Sequence, residues 1–213
     1  MKTVALLPAK RFSRGKSRLA GVLDDDARAE LGRALFTHVL RAAKESGAFD
    51  ELFVVTDGAD VTEVATRFGA TLLADPPSTH LGEIVDSAIA RIISRADVVV
   101  VLMGDLPTLT TDDVRTLVRG SMNAELVVAP DARDEGTNAL AMRLSAIART
   151  QLGHADSFAR HLALAGQLRV AVQRSPGLGF DVDTVRDWER LAREPIVQPA
   201  VRNRTRSSRV SER

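Results

Sequence analysis

Short apolar runs and amphipathic stretches alternate along most of the chain. Thr3 to Leu7 is a short apolar run and reads as a buried first strand. Asp24 to Asp26 stand where a helix would be capped. Leu31, Ala34, Leu35, His38, Val39 and Ala42 follow at helical spacing. Leu52–Thr56 reads as a strand and Asp60–Phe68 as a helix, and Ala70–Ala74 is a strand closed by Pro76 and Pro77. Ile84–Ser94 is predicted helical, with Ile84, Ala88 and Ile92 on one face. Asp97–Met103 carries VVVVL without polar alternation, the pattern of a strand buried on both faces. Thr111–Val118 is a predicted helix and Glu125–Ala129 a strand. After Gly136 come a short strand (Ala139–Arg143), two helical pieces, a strand (Leu168–Gln173) and a last helix from Thr184.

Strands alternating with helices at this spacing predict an α/β fold with a mostly parallel sheet and helices on both faces. Ligands bind such sheets at the carboxyl ends of the strands. The loops after Leu7, Thr56, Ala74, Met103 and Ala129, and the segment near Phe180, are therefore where chemistry is expected. The periodicity fails from Glu194, where Pro195, Pro199 and a run of arginines from Arg202 to Arg213 follow. This predicts a folded domain over residues 1–194 and a mobile basic tail over 195–213.

Composition narrows the classes. The 213 residues are 45% apolar and 27% charged, enough for an aliphatic core and too hydrophobic for a disordered chain. The apolar runs are too short to span a bilayer. Net charge is +1, which argues against a wholly basic nucleic-acid binder. Cys is 0, which excludes disulfides, thiolate metal sites and a cysteine nucleophile. The first apolar run stops at Pro8 with Lys10 and Arg11 close behind, too short for a signal peptide, so a soluble cytoplasmic protein is expected.

Three segments carry candidate chemistry. The loop Pro8–Arg18 holds Lys10, Arg11, Arg14, Lys16 and Arg18 at the end of the first strand. Such a loop is either a solvated surface segment or a cradle for phosphates, and its position at a strand's binding end favours the cradle. It matches neither the Walker A pattern nor the dinucleotide fingerprint. Gly104-Asp105-Leu106-Pro107 follows the VVVVL strand, so Asp105 is a turn residue or a cation ligand. In Phe180-Asp181-Val182-Asp183-Thr184, an extended backbone puts Asp181 and Asp183 on one side and Val182 on the other. Two close carboxylates repel unless a cation lies between them, and magnesium takes one or two carboxylates with substrate phosphates. Helix capping, with Asp187 completing a box, would account for Asp183 or Thr184 but not for Asp181.

Further segments read first as local structure. Thr137 and Asn138 follow Gly136 in a polar turn, and Gly153, His154, Ser157 and His161 surround a helix start, so cap and turn chemistry explains them without a ligand. His38 lies on an apolar stripe and reads as a core or interface histidine. Glu83 and Asp86 open a helix, where acids suit the dipole. No pair among the four histidines has zinc-like spacing.

Taken in order, PAKRFSRGKSRLAGVL, LMGDLPTLT, APDARDEGTNAL, SFARHLALA and GFDVDT resemble the CofC/FbiD guanylyltransferases of coenzyme F-420 biosynthesis, from about Lys2 to Arg193. The resemblance implies a three-layer, Rossmann-like fold of the glycosyltransferase-A type, akin to MobA-like nucleotidyltransferases. It implies transfer of GMP from GTP to 2-phospholactate, phosphoenolpyruvate or 3-phosphoglycerate, with loss of pyrophosphate. It implies Mg2+ on Asp105, Asp181 and Asp183, and triphosphate binding and catalysis by Lys10 and Lys16 with Asp105, helped by Arg18. Thr137, Gly153 and Ser157 would then hold the acid. It also implies a homodimer and a downstream phospho-acid transferase, with no nucleic acid and no membrane. This chain departs from the family at two places. His154 stands three positions before Ser157, where the family has Gly, which leans towards 3-phosphoglycerate. The usual G-L-N near the base is replaced by Thr79-His80-Leu81-Gly82-Glu83. The alternatives are a MobA-like or sugar-phosphate nucleotidyltransferase, or a nucleotide-binding module without catalysis.

Overall fold

The computed structural model describes residues 1–76, 78 and 80–192. The basic segment from Arg193 onward, and Pro77 and Thr79 of the motifs above, lie outside the described residues.

Seven strands alternate with helices: β1 (Thr3–Pro8), α1 (Asp25–Ser46), β2 (Glu51–Thr56), α2 (Ala59–Arg67), β3 (Thr71–Ala74), α3 (Leu81–Ile92), β4 (Val98–Leu102), α4 (Thr111–Gly120), β5 (Leu126–Pro130), β6 (Thr137–Arg143), α5 (Ser157–Leu162), β7 (Val170–Val172), α6 (Pro176–Gly179) and α7 (Val185–Leu191). They form one sheet of order β3-β2-β1-β4-β6-β5-β7. The pairs β3/β2, β2/β1, β1/β4 and β5/β7 are parallel, and β6 runs antiparallel to both β4 and β5. The mostly parallel sheet is as expected. The reversal of β6 has a local cause: only Asp131–Gly136 separates it from β5, far short of the dozen or more residues a parallel crossover needs.

Alternation along the central strands builds the layers. Ala5 and Leu7 of β1, with Val98, Val100 and Leu102 of β4, meet Phe36, Val39 and Leu40 of α1, Val61 and Val64 of α2, and Val114 and Leu117 of α4. Val4, Leu6, Val99 and Val101 point the other way, onto Ile84, Val85, Ala88 and Ile89 of α3 and Phe158 of α5. Every residue of β4 is buried, as its unbroken apolar run predicts. On α1, Leu31, Leu35, Val39 and Ala42 are buried as expected. Ala34 is instead exposed and His38 half-buried, because the buried face turns through Phe36 and Leu40.

Helix ends follow the chain's polar punctuation. Asp24 accepts from the Ala27 N–H at 2.7 Å and caps α1, and Gly47 ends it at φ 63°. Reciprocal boxes of Thr110 with Asp113, and of Thr184 with Asp187, open α4 and α7. The one-turn helix α6 was not expected; Ser175 caps it and Pro176 starts it. A third apolar cluster joins Leu19 and Leu23 of the first loop, Leu31 and Leu35 of α1, and Phe180, Val182 and Leu191. It ties the stretch that follows the first loop to the last described segment of the chain.

Leu102 is fully buried at the end of β4, three residues before Asp105. Leu102→Ala is expected to destabilise the fold by about 2–5 kcal/mol. Thermal denaturation should register this as a fall of about 2–4 °C per kcal/mol.

Candidate active site

Three segments distant in sequence converge at the carboxyl end of β4. The strand delivers Asp105 through Gly104, whose lack of a side chain is required: a Cβ there would stand 2.8 Å from the Phe36 ring. The segment after α6 is extended, so Phe180 and Val182 enter the third cluster while Asp181 and Asp183 turn the other way. Thr184 and Asp187 supply the α7 capping box, so capping accounts for neither Asp181 nor Asp183. One oxygen each from Asp105, Asp181 and Asp183 lies within 4.8 Å of the others.

The first loop faces this triad. Two 3-10 turns, Phe12–Arg14 and Ser17–Leu19, fold it back, and Lys16 between them takes left-handed φ 55°. Buried Leu19 anchors the second turn. Lys16 Nζ donates to Asp105 Oδ2 at 2.6 Å and to Asp183 Oδ1 at 3.2 Å. Its side chain is 10% exposed. Burial alone would depress the Lys16 ammonium, but the charges of Asp105 and then Asp183 outweigh it and hold it above the ordinary lysine value. Arg18 Nη1 reaches Asp183 Oδ2 at 3.7 Å from a mostly exposed position.

The other cations of the loop do not join the triad. Arg11 and Arg14 turn to Asp57 at the end of β2, at 3.6 and 3.8 Å. Lys10 is exposed, and its charge acts on Asp75 after β3. Among the described residues it forms none of the ion pairs around Asp105.

The crowding of the three acids tells on Asp181. Burial, then the charges of Asp105 and Asp183, push its carboxyl up to about 6. Asn138 partly offsets this by donating to Asp181 Oδ1 at 3.5 Å, and it also donates to the Leu178 carbonyl at 2.9 Å. Asn138, on β6, thus clasps the segment that carries Asp181 to that strand, a role that its reading as a turn residue does not reveal.

Its neighbour Thr137 opens a second cluster. Ser157 Oγ donates to Thr137 Oγ1 at 3.2 Å, and His161 Nδ1 lies 3.2 Å from the same oxygen. Thr137, Ser157 and His161 are all buried. Gly153 sits in the preceding loop at φ 85°, and a Cβ there would stand 2.8 Å from the His80 ring. His80 and His154 meet edge to face, with ring centroids 5.2 Å apart. The i, i+4 spacing of Ser157 and His161 was the sequence signal for their contact.

A Rossmann-like sheet that carries an acid triad at the end of its central strand, opposite a cationic first loop, is the frame of a nucleotidyltransferase. A crystal structure from Desulfovibrio desulfuricans, of a protein assigned to the nucleotide-diphospho-sugar transferases, superposes with TM-score 0.78 at 19% identity, covering 99% of this chain and 96% of that one. Residues 3–192 match the family described as "Guanylyl transferase CofC like", and the chain belongs to that family. It is 37% identical over 199 residues to a phosphoenolpyruvate guanylyltransferase of Sphaerobacter thermophilus, covering 90% of this chain and 93% of the relative. It is 33% identical to a 3-phospho-D-glycerate guanylyltransferase of Phenylobacterium zucineum, covering 90% of each. A 2-phospho-L-lactate guanylyltransferase of Methanothermobacter thermautotrophicus is 31% identical, with 88% of this chain and 82% of the relative covered. Among the described residues no helix is long and apolar enough to cross a membrane.

The raised value of Asp181 has a consequence for stability. Its folded value of about 6 lies above the ordinary 3.8, so the folded chain favours the protonated form. The penalty for ionising it builds between those two values as pH rises and is fully present at neutral pH. Asp181→Asn is expected to raise the thermal midpoint of the metal-free protein by a few degrees near pH 7.5, the size of about 1 kcal/mol. The gain should shrink as the pH falls to about 4. Differential scanning calorimetry in chelator at both pH values checks this.

Proposed function

We propose that the chain transfers GMP from GTP to a phosphorylated three-carbon acid, in coenzyme F-420 biosynthesis. The observation that carries this reading is the acid triad facing Lys16 and Arg18 in a chain of the guanylyltransferase family.

Asp105, Asp181 and Asp183 would hold Mg2+. Their oxygens lie within 4.8 Å of one another, and an all-carboxylate donor set suits a hard divalent cation. Bound there, the ion supplies Lewis acidity and a template for the triphosphate. Lys16 and Arg18, with Lys10 at the mouth of the loop, neutralise the triphosphate. Thr137, Gly153 and Ser157 hold the acid.

An oxygen of the acid's phosphate attacks the α-phosphorus. The bond from that phosphorus to the α–β bridging oxygen breaks, and pyrophosphate leaves with the electron pair. The product is a diphosphate joining GMP to the acid. The attacking phosphate is ionised at neutral pH, so no general base is required, and the site's task is to bring two anions together in line. This fits a cluster of Asp, Lys and Arg in which no serine–histidine pair serves as nucleophile and base. A transferase that passes the phospho-acid to a deazaflavin precursor is the downstream partner in this reading. The chain acts in the cytoplasm as a homodimer.

Pyrophosphate release from GTP with Mg2+, with the three acids in competition and the products weighed by mass spectrometry, tests the reading. Turnover with one or more of the acids is expected, and release only with a sugar phosphate would replace it. Asp183→Asn is expected to lower kcat by at least about a hundredfold, the scale of losing a metal ligand. Full activity of that variant with Mg2+ would remove the metal role. Thr137→Val should raise KM for the acid about tenfold and leave KM for GTP unchanged, as the loss of one substrate hydrogen bond predicts.

A further inference from the structure

Behind Thr137 and Ser157 stands a histidine that the reaction as written does not use. His161 is 0% exposed and lies one turn after Ser157 on α5. Its partners fix its tautomer. The backbone N–H of Gln151 donates to Nε2 at 3.0 Å. A backbone N–H can only donate, so Nε2 carries no hydrogen. The ring hydrogen is therefore on Nδ1, which faces the Ser157 carbonyl at 2.7 Å and Thr137 Oγ1 at 3.2 Å.

The consequence falls on Thr137. Its oxygen receives from Ser157 Oγ at 3.2 Å and faces the imidazole N–H on another side. The oxygen then faces two protein donors, the ring N–H being shared between it and the nearer Ser157 carbonyl. The hydroxyl's own hydrogen is left to donate to a ligand. A hydroxyl so set presents a donor, which suits a carboxylate or phosphate oxygen and not a cation.

We propose that His161, as a neutral Nδ1–H imidazole, is the positioning residue of the acid pocket and orients the Thr137 hydroxyl to donate to the substrate's anionic oxygen. The proposal rests on the reading above that Thr137 and Ser157 hold the acid. Two further features support it. Burial drives the ring's value down to about 4, so it stays neutral throughout the physiological range. A charged ring would set an Nε2–H against the Gln151 N–H, two donors face to face. The ring also links the pocket to the body of the fold. Next to Gln151, Thr150 bonds Asp86 of α3 through its backbone N–H at 2.8 Å and its hydroxyl at 2.9 Å. The loop that donates to His161 is thus held rigid from the far side.

Two near-isosteric variants separate positioning from packing. Asparagine carries its amide nitrogen where Nδ1 stands, and glutamine carries its terminal oxygen where Nε2 stands. His161→Asn therefore keeps the donor towards Ser157 and Thr137. His161→Gln keeps the acceptor for Gln151 and loses that donor. His161→Gln is expected to raise KM for the acid about tenfold with KM for GTP unchanged, the loss of one oriented hydrogen bond. His161→Asn should stay within about threefold of wild type for both substrates. Equal effects of the two variants on the acid, or a parallel rise in both KM values, would mean a packing role and overturn the proposal.

Nitrogen-15 NMR of the imidazole in the wild-type protein gives a readout that does not depend on any variant folding. A neutral Nδ1–H ring from pH 8 to pH 5 is expected. An Nε2–H tautomer, or a ring charged at pH 6, overturns the proposal. If wild type releases no pyrophosphate with any acid, it is the functional reading that fails. If wild type turns over and His161→Gln leaves the acid KM unchanged, the positioning role alone fails.

Discussion

Like-charge repulsion among three carboxylates is the constraint on which the rest of the molecule depends. Two unit charges 4 Å apart interact by about 4 kcal/mol at an effective dielectric of 20, and the triad brings three acids to that range. The chain offsets the repulsion in two ways. Lys16 places one ammonium against both Asp105 and Asp183. Asp181 instead has its carboxyl pushed up to about 6, so part of the repulsion is relieved by a bound proton only as the pH falls below that value. Neither device would hold without rigid backbone behind each acid. Asp105 hangs from a fully buried strand, and the other two alternate with buried Phe180 and Val182.

The third apolar cluster is explained by this requirement. The sheet and its two helical layers already form a core without Leu19, Leu23, Phe180, Val182 and Leu191. What these residues add is a clamp between the loop that carries Lys16 and the segment that carries Asp181 and Asp183. Asn138 works on the same segment from the other side, joining it to β6. Since Thr137 is the adjoining residue, one strand start serves both the acid triad and the hydroxyl cluster. The two halves of the site share a single rigid support.

Much of this was legible in the chain, and the legible part has a common cause. Strand period and apolar runs report burial directly, so β1, β2, β4 and β5 stand within a residue or two of expectation. The same period of two placed Asp181 and Asp183 on one side of their segment, away from Val182. What was not legible depends on loop conformation. Five cations in the first loop read alike, yet only Lys16 and Arg18 meet the triad. The choice is made by a left-handed residue at Lys16 and by Asp57 after β2, which draws Arg11 and Arg14 away. A lysine at positive φ leaves no mark in residue type. Likewise the reversal of β6 follows from a short connection, and alternation alone does not distinguish parallel from antiparallel pairing. Roles for Thr137 and Ser157 came through family resemblance, since a hydroxyl near a turn is ordinary cap chemistry.

The choice of lysine, not arginine, against the triad follows from the task. A guanidinium locks onto one carboxylate through a planar fork, whereas an ammonium is a point charge on a flexible stem that can be shared and then withdrawn. Lys16 is shared between two acids at 2.6 and 3.2 Å, and neither contact is bidentate. A buried pair of this kind contributes little net stability, because desolvation opposes the attraction. Its value lies in keeping the three acids assembled, and a compact charge held between two of them by a left-handed backbone residue does so without locking either into a planar fork.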